Sequence, residues 1–523
     1  MKVHGQRVVS RGAGGMGGLF LFAAALAVPG GLGAQFLASA GPAGGASVAN
    51  AGGAAAADVT FARDIMPILQ AKCQHCHRSG GVAPMAFESY EQVRPWAPLI
   101  KHRTGIRDRA GAMPPYYLEP GIGIQHYKND ERLTTEQVEM IATWVDAGAP
   151  LGDPADLPPA RVWDDSGAWR IGEPDLVVRT QDFFMEAGAP DWWGDMESMP
   201  TGLAEDRYIR AIEIREVNDV VSRTAADGTS VGGRWIIHHM IWSTRVIAPE
   251  GADSTAAANG DGDNQGGGGA TGWPVHELGR NPDIFDPRAG RLLRAGSSVV
   301  SNSVHLHSSG QDTRGHLEIG FYFHPVGYEP ELRRAGVGMG DAQNIDIRGG
   351  VEGYQELHSF TVLDEHIKIT TFEPHLHGPG ARMCLEAIWG MQIETLACAG
   401  YDHNWVKQYA FDDDHAPILP KGTVLHIVGY MDMSEDSPNV PDPRNWQGSG
   451  NRSITNMFID LGMRVGLTDE QFVQEMADRV ERLGLGVNDH VIGCPLCMAN
   501  LPPFPPEEPS ADADADTDND DRP

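Results

Sequence analysis

Most of this chain reads as short segments in which apolar and polar residues alternate. Such segments, for example "RYIRAIEIREV" and "FTVLDEHIKITTFEP", are rich in Ile, Val, Thr and aromatic residues and are separated by Gly, Pro and Asp turns. This period of two is typical of strands that bury one face, and it predicts antiparallel sandwiches of the jelly-roll kind. Because the region is too long for one sandwich, we expect two all-β jelly-roll domains, at 176–345 and 346–500.

A different pattern precedes these strands. The stretch "KCQHCHRSGG" carries Cys73, Cys76 and His77 in the order C-x-x-C-H. This order is typical of c-type haem attachment, since the two thiols can bond the porphyrin vinyl groups and the adjacent imidazole can bind the iron. We therefore predict one covalent haem c. Helical periodicity in "FARDIMPILQAKC" and "TTEQVEMIATWVDAGAP" flanks the motif, and the segment 58–153 resembles a small all-α class I cytochrome c.

Two methionines are candidates for the second axial ligand of the haem iron. Met113 lies in "GAMPPYY", and Met85 lies closer to the C-x-x-C-H motif. A thioether ligand raises the haem potential and suits electron transfer, although either methionine could instead pack in the core. The cytochrome resemblance favours Met113, because an M-P-P turn commonly carries the ligand in that family.

The N-terminus has the pattern of an export signal. Basic residues precede the apolar run "LFLFAAALAV", and "ASA" at 38–40 is a possible cleavage site. We predict a signal peptide at 1–40, a Gly/Ala-rich linker at 41–57 and a periplasmic or secreted protein. A membrane anchor is expected only if the signal segment is not cleaved, because no later run is apolar for long enough to cross a bilayer.

The charge of the chain limits its partners. Forty basic residues stand against 71 acidic ones, for a net charge of −31, which argues against nucleic acid or an anionic membrane as a partner. A Pro- and Asp-rich linker is predicted at 154–175, and the acidic segment 501–523 is predicted to be a disordered tail.

Two cysteine pairs remain beside the haem motif. Cys384 and Cys398 flank a predicted hairpin, and Cys494 and Cys497 form a C-x-x-C in "GCPLCMAN". In an oxidising compartment, disulfides are the default for both pairs. The tight C-x-x-C could instead bind soft copper or be redox active.

Histidines form three close pairs on the predicted strands. The pairs are His238 with His239, His305 with His307, and His375 with His377. Residues two apart on a strand share a face, so His375 and His377 can present both imidazoles to one ion. Adjacent residues point to opposite faces, so His238 and His239 can share an ion only if the strand twists or different ring nitrogens bind.

Four segments, in this order, resemble the copper type II, ascorbate-dependent monooxygenases, the family of peptidylglycine alpha-hydroxylating and dopamine beta-monooxygenases. They are "IIHHMIW", "VHLHSSGQDTRGHLEIGFYF", "PHLHGPGARM" and "DSPNVPDPRNWQGSGNRSITNMF". A fifth, "YDHNWVKQY" at 401–409, looks like the bacterial branch of the family. The resemblance implies two jelly-roll domains that each hold one copper. The implied ligands are His238, His239 and His307 for the first copper, with His305 as the alternative to His307, and His375, His377 and Met457 for the second.

The two implied ligand sets favour different chemistry. Three imidazoles suit a copper that passes electrons, whereas two imidazoles and a thioether favour Cu(I), the state that meets dioxygen. The resemblance thus implies that His375, His377 and Met457 form the catalytic site. Leu461 stands where the peptide-acting member has its substrate-anchoring Tyr, so a peptide substrate is not expected.

We expect an exported dicopper monooxygenase that hydroxylates a small organic substrate with dioxygen. Electrons would come from an external donor, which could be a cytochrome, a quinol-linked protein or an ascorbate-like reductant, through the haem of the chain itself. The alternative is a non-catalytic haem and copper protein, for electron transfer or copper binding, on the same scaffold.

Overall fold

The structure is a computed structural model that describes residues 59–79, 81–83, 85–163, 169–220, 235–247, 271–341, 345–437, 440, 455–486 and 489–497. The predicted signal peptide, the Gly/Ala-rich linker and the acidic tail lie outside these residues. Within the described ranges, no helix is both long and apolar enough to cross a membrane.

The first described part, residues 59–156, is called the helical region below. Its α-helices are α1 (Met66–Lys72), α2 (Tyr90–Val93), α3 (Ala97–Ile106) and α4 (Thr135–Asp146), and its shorter turns are a π-helix at Phe61–Ile65 and 3₁₀-helices at Arg94–Trp96 and Pro154–Asp156. Capping boxes begin α2 and α4, since Ser89 and Thr134 each exchange hydrogen bonds with a Gln three residues later. The helices pack around Phe61, Leu69 and Trp144.

The first β region contains strands β1 to β11. They are β1 (Leu176–Arg179), β2 (Phe183–Met185), β3 (Trp192–Pro200), β4 (Arg207–Asn218), β5 (Ile237–Val246), β6 (Thr271–Gly272), β7 (His276–Glu277), β8 (Asp283–Ile284), β9 (Arg291–Leu293), β10 (Ser297–Leu306) and β11 (Thr313–Phe323). One antiparallel sheet has the order β1-β11-β4-β8, with β2 on β11 and β9 on β4. The other has the order β3-β10-β5-β6, with β7 on β5. Both sheets bury residues in one shared core, which includes Ile237 and Phe321.

The second β region contains strands β12 to β24. They are β12 (Arg333–Arg334), β13 (Gly340–Asp341), β14 (Tyr354–Val362), β15 (His366–Ile369), β16 (Thr371–Phe372), β17 (Pro374–Leu376), β18 (Gly380–Trp389), β19 (Gln392–Gly400), β20 (Tyr409–Ala410), β21 (Ile418–Leu419), β22 (Val424–Asp432), β23 (Phe458–Asp460) and β24 (Arg464–Leu467). Its sheets have the orders β14-β22-β18-β19, β12-β24-β15-β21, β13-β23-β17 and β16-β20.

The chain is thus mostly β-sheet with few helices, as the sequence predicts. Both cysteine pairs form disulfides, Cys384 with Cys398 and Cys494 with Cys497, which confirms the prediction for each. Cys384 lies opposite Cys398 on the paired strands β18 and β19, so this bond joins two neighbouring strands.

A helix that the strand pattern did not predict follows the last strand. Helix α5 (Asp469–Leu483) begins with a capping box between Thr468 and Gln471 and ends at Gly484, whose φ of 63° lies in the left-handed region. Its buried face, which includes Phe472 and Met476, packs on Ile418.

The helical region is not a separate body. Tyr116, Leu118 and Tyr127, which fall inside the predicted cytochrome segment, are buried in the core of the second β region. Leu118 forms a β-bridge with Ala399. The apolar residues that follow the "MPP" turn therefore belong to the core of the second β region and hold the helical region against that core.

Candidate functional site

Three histidines of the first β region meet at one point. His238 and His239 lie on β5 and His305 lies on β10, and their metal-binding nitrogen atoms lie within 4.8 Å of one another. His305 pairs with His239, while the next residue of β10 pairs with Ile237, so His238 is an extra residue in the ladder. Such a β-bulge bends the strand and redirects side chains. It explains how two adjacent histidines reach the same point.

Hydrogen bonding orients the ring of His305 and leaves the ring of His238 without a partner among the described residues. The Nε2 of His305 lies 2.9 Å from a carboxylate oxygen of Asp191, and its ring stacks on Trp193 at 3.8 Å. This contact favours the tautomer in which Nδ1 carries no proton, and that Nδ1 lies 3.3 Å from Nδ1 of His239. Neither ring nitrogen of His238, which is buried, has a hydrogen-bond partner among the described residues.

The charge states of His238 and His239 agree with this arrangement. Burial, together with the neighbouring imidazoles, holds the pKa values of His238 and His239 well below the usual range. Neutral imidazole is the form that binds metal ions. Buried imidazole nitrogens around one point form a donor set suited to a transition metal.

His307, the predicted third ligand, lies beside this group. Its ring centroid is 5.3 Å from that of His238, and its Nε2 lies 3.0 Å from the carbonyl oxygen of Trp235. The structure therefore groups the alternative, His305, with His238 and His239.

The second predicted ligand set lies on two paired strands. The antiparallel pairing of β17 with β23 places His375 opposite Ile459 and Leu376 opposite Phe458. The pairing ends there, and the next residues of the two segments, His377 and Met457, are both buried. The rings of His375 and His377 are 5.3 Å apart, and Met457 directly precedes the strand that pairs with β17.

A buried carboxylate connects the two histidine groups. Glu277 of β7 lies opposite His239 of β5, and its Oε1 lies 2.7 Å from Nδ1 of His375. Although burial alone would lower it, the Glu277 carboxylate raises the pKa of His375. A carboxylate on one imidazole nitrogen fixes the ring and leaves the other nitrogen for a metal. Strand patterns did not identify Glu277, because its role depends on how the two β regions meet.

His403 is a further histidine that the sequence did not single out as a ligand. It lies between β19 and β20, with its ring centroid 5.2 Å from that of His238 and 6.2 Å from that of His377. Its Nδ1 is buried and has no hydrogen-bond partner among the described residues. The only sequence signal was its place in "YDHNWVKQY", a segment that resembles the bacterial branch.

A buried ion-pair network lies next to these residues and joins the two β regions. Arg280 donates to Asp283 of the first β region at 2.8 and 3.0 Å, and to Glu373 of the second at 2.9 Å. Gln408 donates to the same two carboxylates at 3.1 and 3.3 Å. The contacts hold the facing histidine groups in position.

The C-x-x-C-H motif presents two free thiols and an imidazole held by a hydrogen bond. Cys73 and Cys76 are unpaired and half-buried, and His77 stacks on Phe87 at 4.3 Å. The Nδ1 of His77 lies 3.1 Å from the carbonyl oxygen of Met85, which leaves Nε2 as the ligand atom. These residues fit a covalent haem.

The two candidate methionines lie in different surroundings. Met113, which is 42% exposed, lines a shallow cleft with Arg107, Tyr116, Leu133 and Val138. Met85 packs on the helical core, and its carbonyl contacts the edge of His77 that faces away from an iron-binding Nε2. Met113 is therefore the more exposed of the two methionines.

The segment 402–407, which contains His403, contacts the helical region near the C-x-x-C-H motif. Glu131 lies 3.9 Å from Nε2 of His75, within the motif, and 3.3 Å from Nζ of Lys407. Asp402, which precedes His403, accepts a hydrogen bond from the Tyr117 hydroxyl at 3.1 Å. Residues on both sides of His403 therefore contact the helical region.

Comparison with known proteins does not assign the chain to a family. No protein-family model matches it, and no curated protein matches it. Among solved structures, the crystal structure of the infectious bursal disease virus VP2 subviral particle aligns over 63% of this chain and 92% of its own, with 10% identity and a TM-score of 0.16. A similarity at this TM-score supports no statement about fold or function.

Proposed function

We propose that this protein is an exported dicopper monooxygenase that hydroxylates a small organic substrate with dioxygen and receives electrons through its own haem c. One observation carries the proposal. Buried imidazoles of two β regions, several of them with ring nitrogens that lack hydrogen-bond partners among the described residues, lie close to each other. The segments that resemble the copper type II monooxygenases supply these same imidazoles.

In this proposal the two β regions are jelly-roll sandwiches, and the helical region is a class I cytochrome c. The first copper would be held by His238, His239 and His305, because the ligand nitrogens of these three residues lie within 4.8 Å of one another. His375, His377 and Met457 hold the second copper. When bound, the coppers supply dioxygen binding and reduction, and the haem supplies single electrons from an external donor.

The protein groups around the metals orient the ligands. Asp191 fixes the tautomer of His305, and Glu277 fixes the ring of His375. The thioether of Met457 is the one soft donor in the set, and a soft donor would favour Cu(I) at the second site. The two disulfides are compatible with export to an oxidising compartment.

Metal analysis of the purified full-length protein is the first test. We expect two coppers and one iron per chain, with the iron in a covalent haem. Iron without copper would contradict the proposal and support the non-catalytic alternative.

Oxygen uptake is the second test, with a reduced cytochrome as donor and small apolar or amine compounds as substrates. Met457→Ala should abolish formation of a hydroxylated product and weaken Cu(I) binding at one of the two sites. Met476→Ala, at a buried methionine of α5, is the matched control and should keep both coppers and the activity. Full turnover by Met457→Ala would refute the assignment of the catalytic site.

A further inference from the structure

We propose that His403 is a ligand of the first copper, supplied by the second β region, so that this copper site is complete only where the two β regions meet. The inference rests on the proposed function, because it assumes that His238, His239 and His305 bind copper. It adds a fourth imidazole to that site, from a different part of the chain.

The position of His403 supports this role. Its ring lies 5.2 Å from the ring of His238, which is similar to the 5.0 Å between the rings of His239 and His305 within the cluster. His238 is also the cluster member with two unpartnered ring nitrogens. By ring distance, His403 is therefore as close to His238 as His239 is to His305.

The hydrogen-bonding state of His403 points the same way. A buried structural histidine normally satisfies its ring nitrogens with protein partners, as His324 does with the carbonyl oxygen of Ala289 at 3.1 Å. The buried Nδ1 of His403 has no such partner among the described residues. A metal ion would satisfy it.

The backbone around His403 is fixed from several sides. Asp402 accepts hydrogen bonds from the Tyr117 hydroxyl at 3.1 Å and from the amide of Asn404 at 3.0 Å. On the other side, the ring of Trp405 packs on Gly279, where an added Cβ would lie 2.6 Å from the ring. Gly279 has a φ of 91°, so a glycine is required there for conformation as well as for space. The loop is thus held in place by the helical region and by the first β region before any metal binds, as a preorganised ligand requires.

The geometry also explains why the two coppers would be neighbours. The ring centroid of His403 lies 6.2 Å from that of His377, a proposed ligand of the second copper, and 5.2 Å from that of His238. A ligand in this position links the two sites through one loop.

Pulsed EPR of Cu(II) in the full-length protein tests the inference. The His377→Ala variant removes a ligand of the second copper and leaves the first as the site to be observed. We expect four coupled imidazoles in this variant and three after the further change His403→Ala. The Cu(II) affinity, measured by competition with a chelator, should fall by at least about tenfold. Added imidazole should restore the fourth nitrogen signal, which it would not do for a structural histidine.

The control is His324→Ala in the same His377→Ala background, because His324 is a buried histidine with a protein partner. It should keep four imidazoles at the first copper. If His403→Ala does not fold, the count in the parent variant still decides, because three imidazoles there would overturn the inference. An unchanged count after His403→Ala would also overturn it while leaving the proposed function intact. Absence of copper from the wild-type protein would instead refute the proposed function.

Discussion

Removal of the Arg280 guanidinium should destabilise the protein by about 3–5 kcal/mol, the usual cost of breaking a buried ion pair from one side. The Arg280 side chain is only 7% exposed and donates to two carboxylates, Asp283 and Glu373, which are 7% and 1% exposed. Arg280→Met conserves volume but leaves both carboxylates buried without their cation. Gln408 still donates a hydrogen bond to each of the two carboxylates. We therefore expect the loss of stability to stay within the range for one broken ion pair, although Arg280 contacts two carboxylates.

The assay is equilibrium unfolding of the full-length protein in urea, followed by tryptophan fluorescence. The triple variant Arg280→Met, Asp283→Asn, Glu373→Gln removes the stranded charges and should recover most of the loss. Lys101→Met, which breaks an exposed pair with Asp146, should change stability by less than about 1 kcal/mol. If Arg280→Met loses no more than Lys101→Met, the network does not hold the two β regions together as argued.

Three further predictions follow from the haem ligands, a disulfide and the linker. Met113→Ala should keep covalent haem but shift its visible spectrum toward high spin, whereas Met85→Ala should keep the low-spin spectrum; the reverse pattern would assign Met85 as the ligand. Replacing Cys384 and Cys398 together by Ala should lower the free energy of unfolding by about 3 kcal/mol, the value for a loop of this length. Urea unfolding under oxidising conditions measures this loss, and a clearly smaller loss would contradict the prediction. Proteolytic cleavage within 154–175 should leave the two fragments associated in gel filtration, and their separation would show that the linker alone holds them.

Much of the fold is local in origin, and the sequence predicts that part. The alternating segment "RYIRAIEIREV" lies in β4 (Arg207–Asn218), because its period of two fits a strand that buries one face. Cys384 and Cys398 were predicted to bond on either side of a hairpin, and they lie opposite each other on its two strands. Helix α5 also has a local signal, a capping box and an amphipathic pattern, but the strand assignment of 346–500 overlooked it.

The details of the histidine cluster are not local and could not be predicted in the same way. Alternation alone directs His238 and His239 to opposite faces, and only the bulge in the pairing of β5 with β10 brings them together. The grouping of His305 instead of His307 follows from the same register. Glu277 reaches His375, and His403 reaches His238, through the approach of two β regions, which no periodicity in one segment encodes.

The packing of the helical region changes how its link to the β regions is understood. From the sequence, a flexible linker would only raise the local concentration of one part near the other. In the structure, Tyr116, Leu118 and Tyr127 are buried in the second core, and Glu119 forms an ion pair with Arg382. Burial of three such side chains stabilises the contact by roughly 1.5–3 kcal/mol each, whereas an exposed linker makes no stabilising contact of this kind. The distance between the C-x-x-C-H motif and the histidine cluster is therefore fixed by packing, and its value does not depend on the length of the linker.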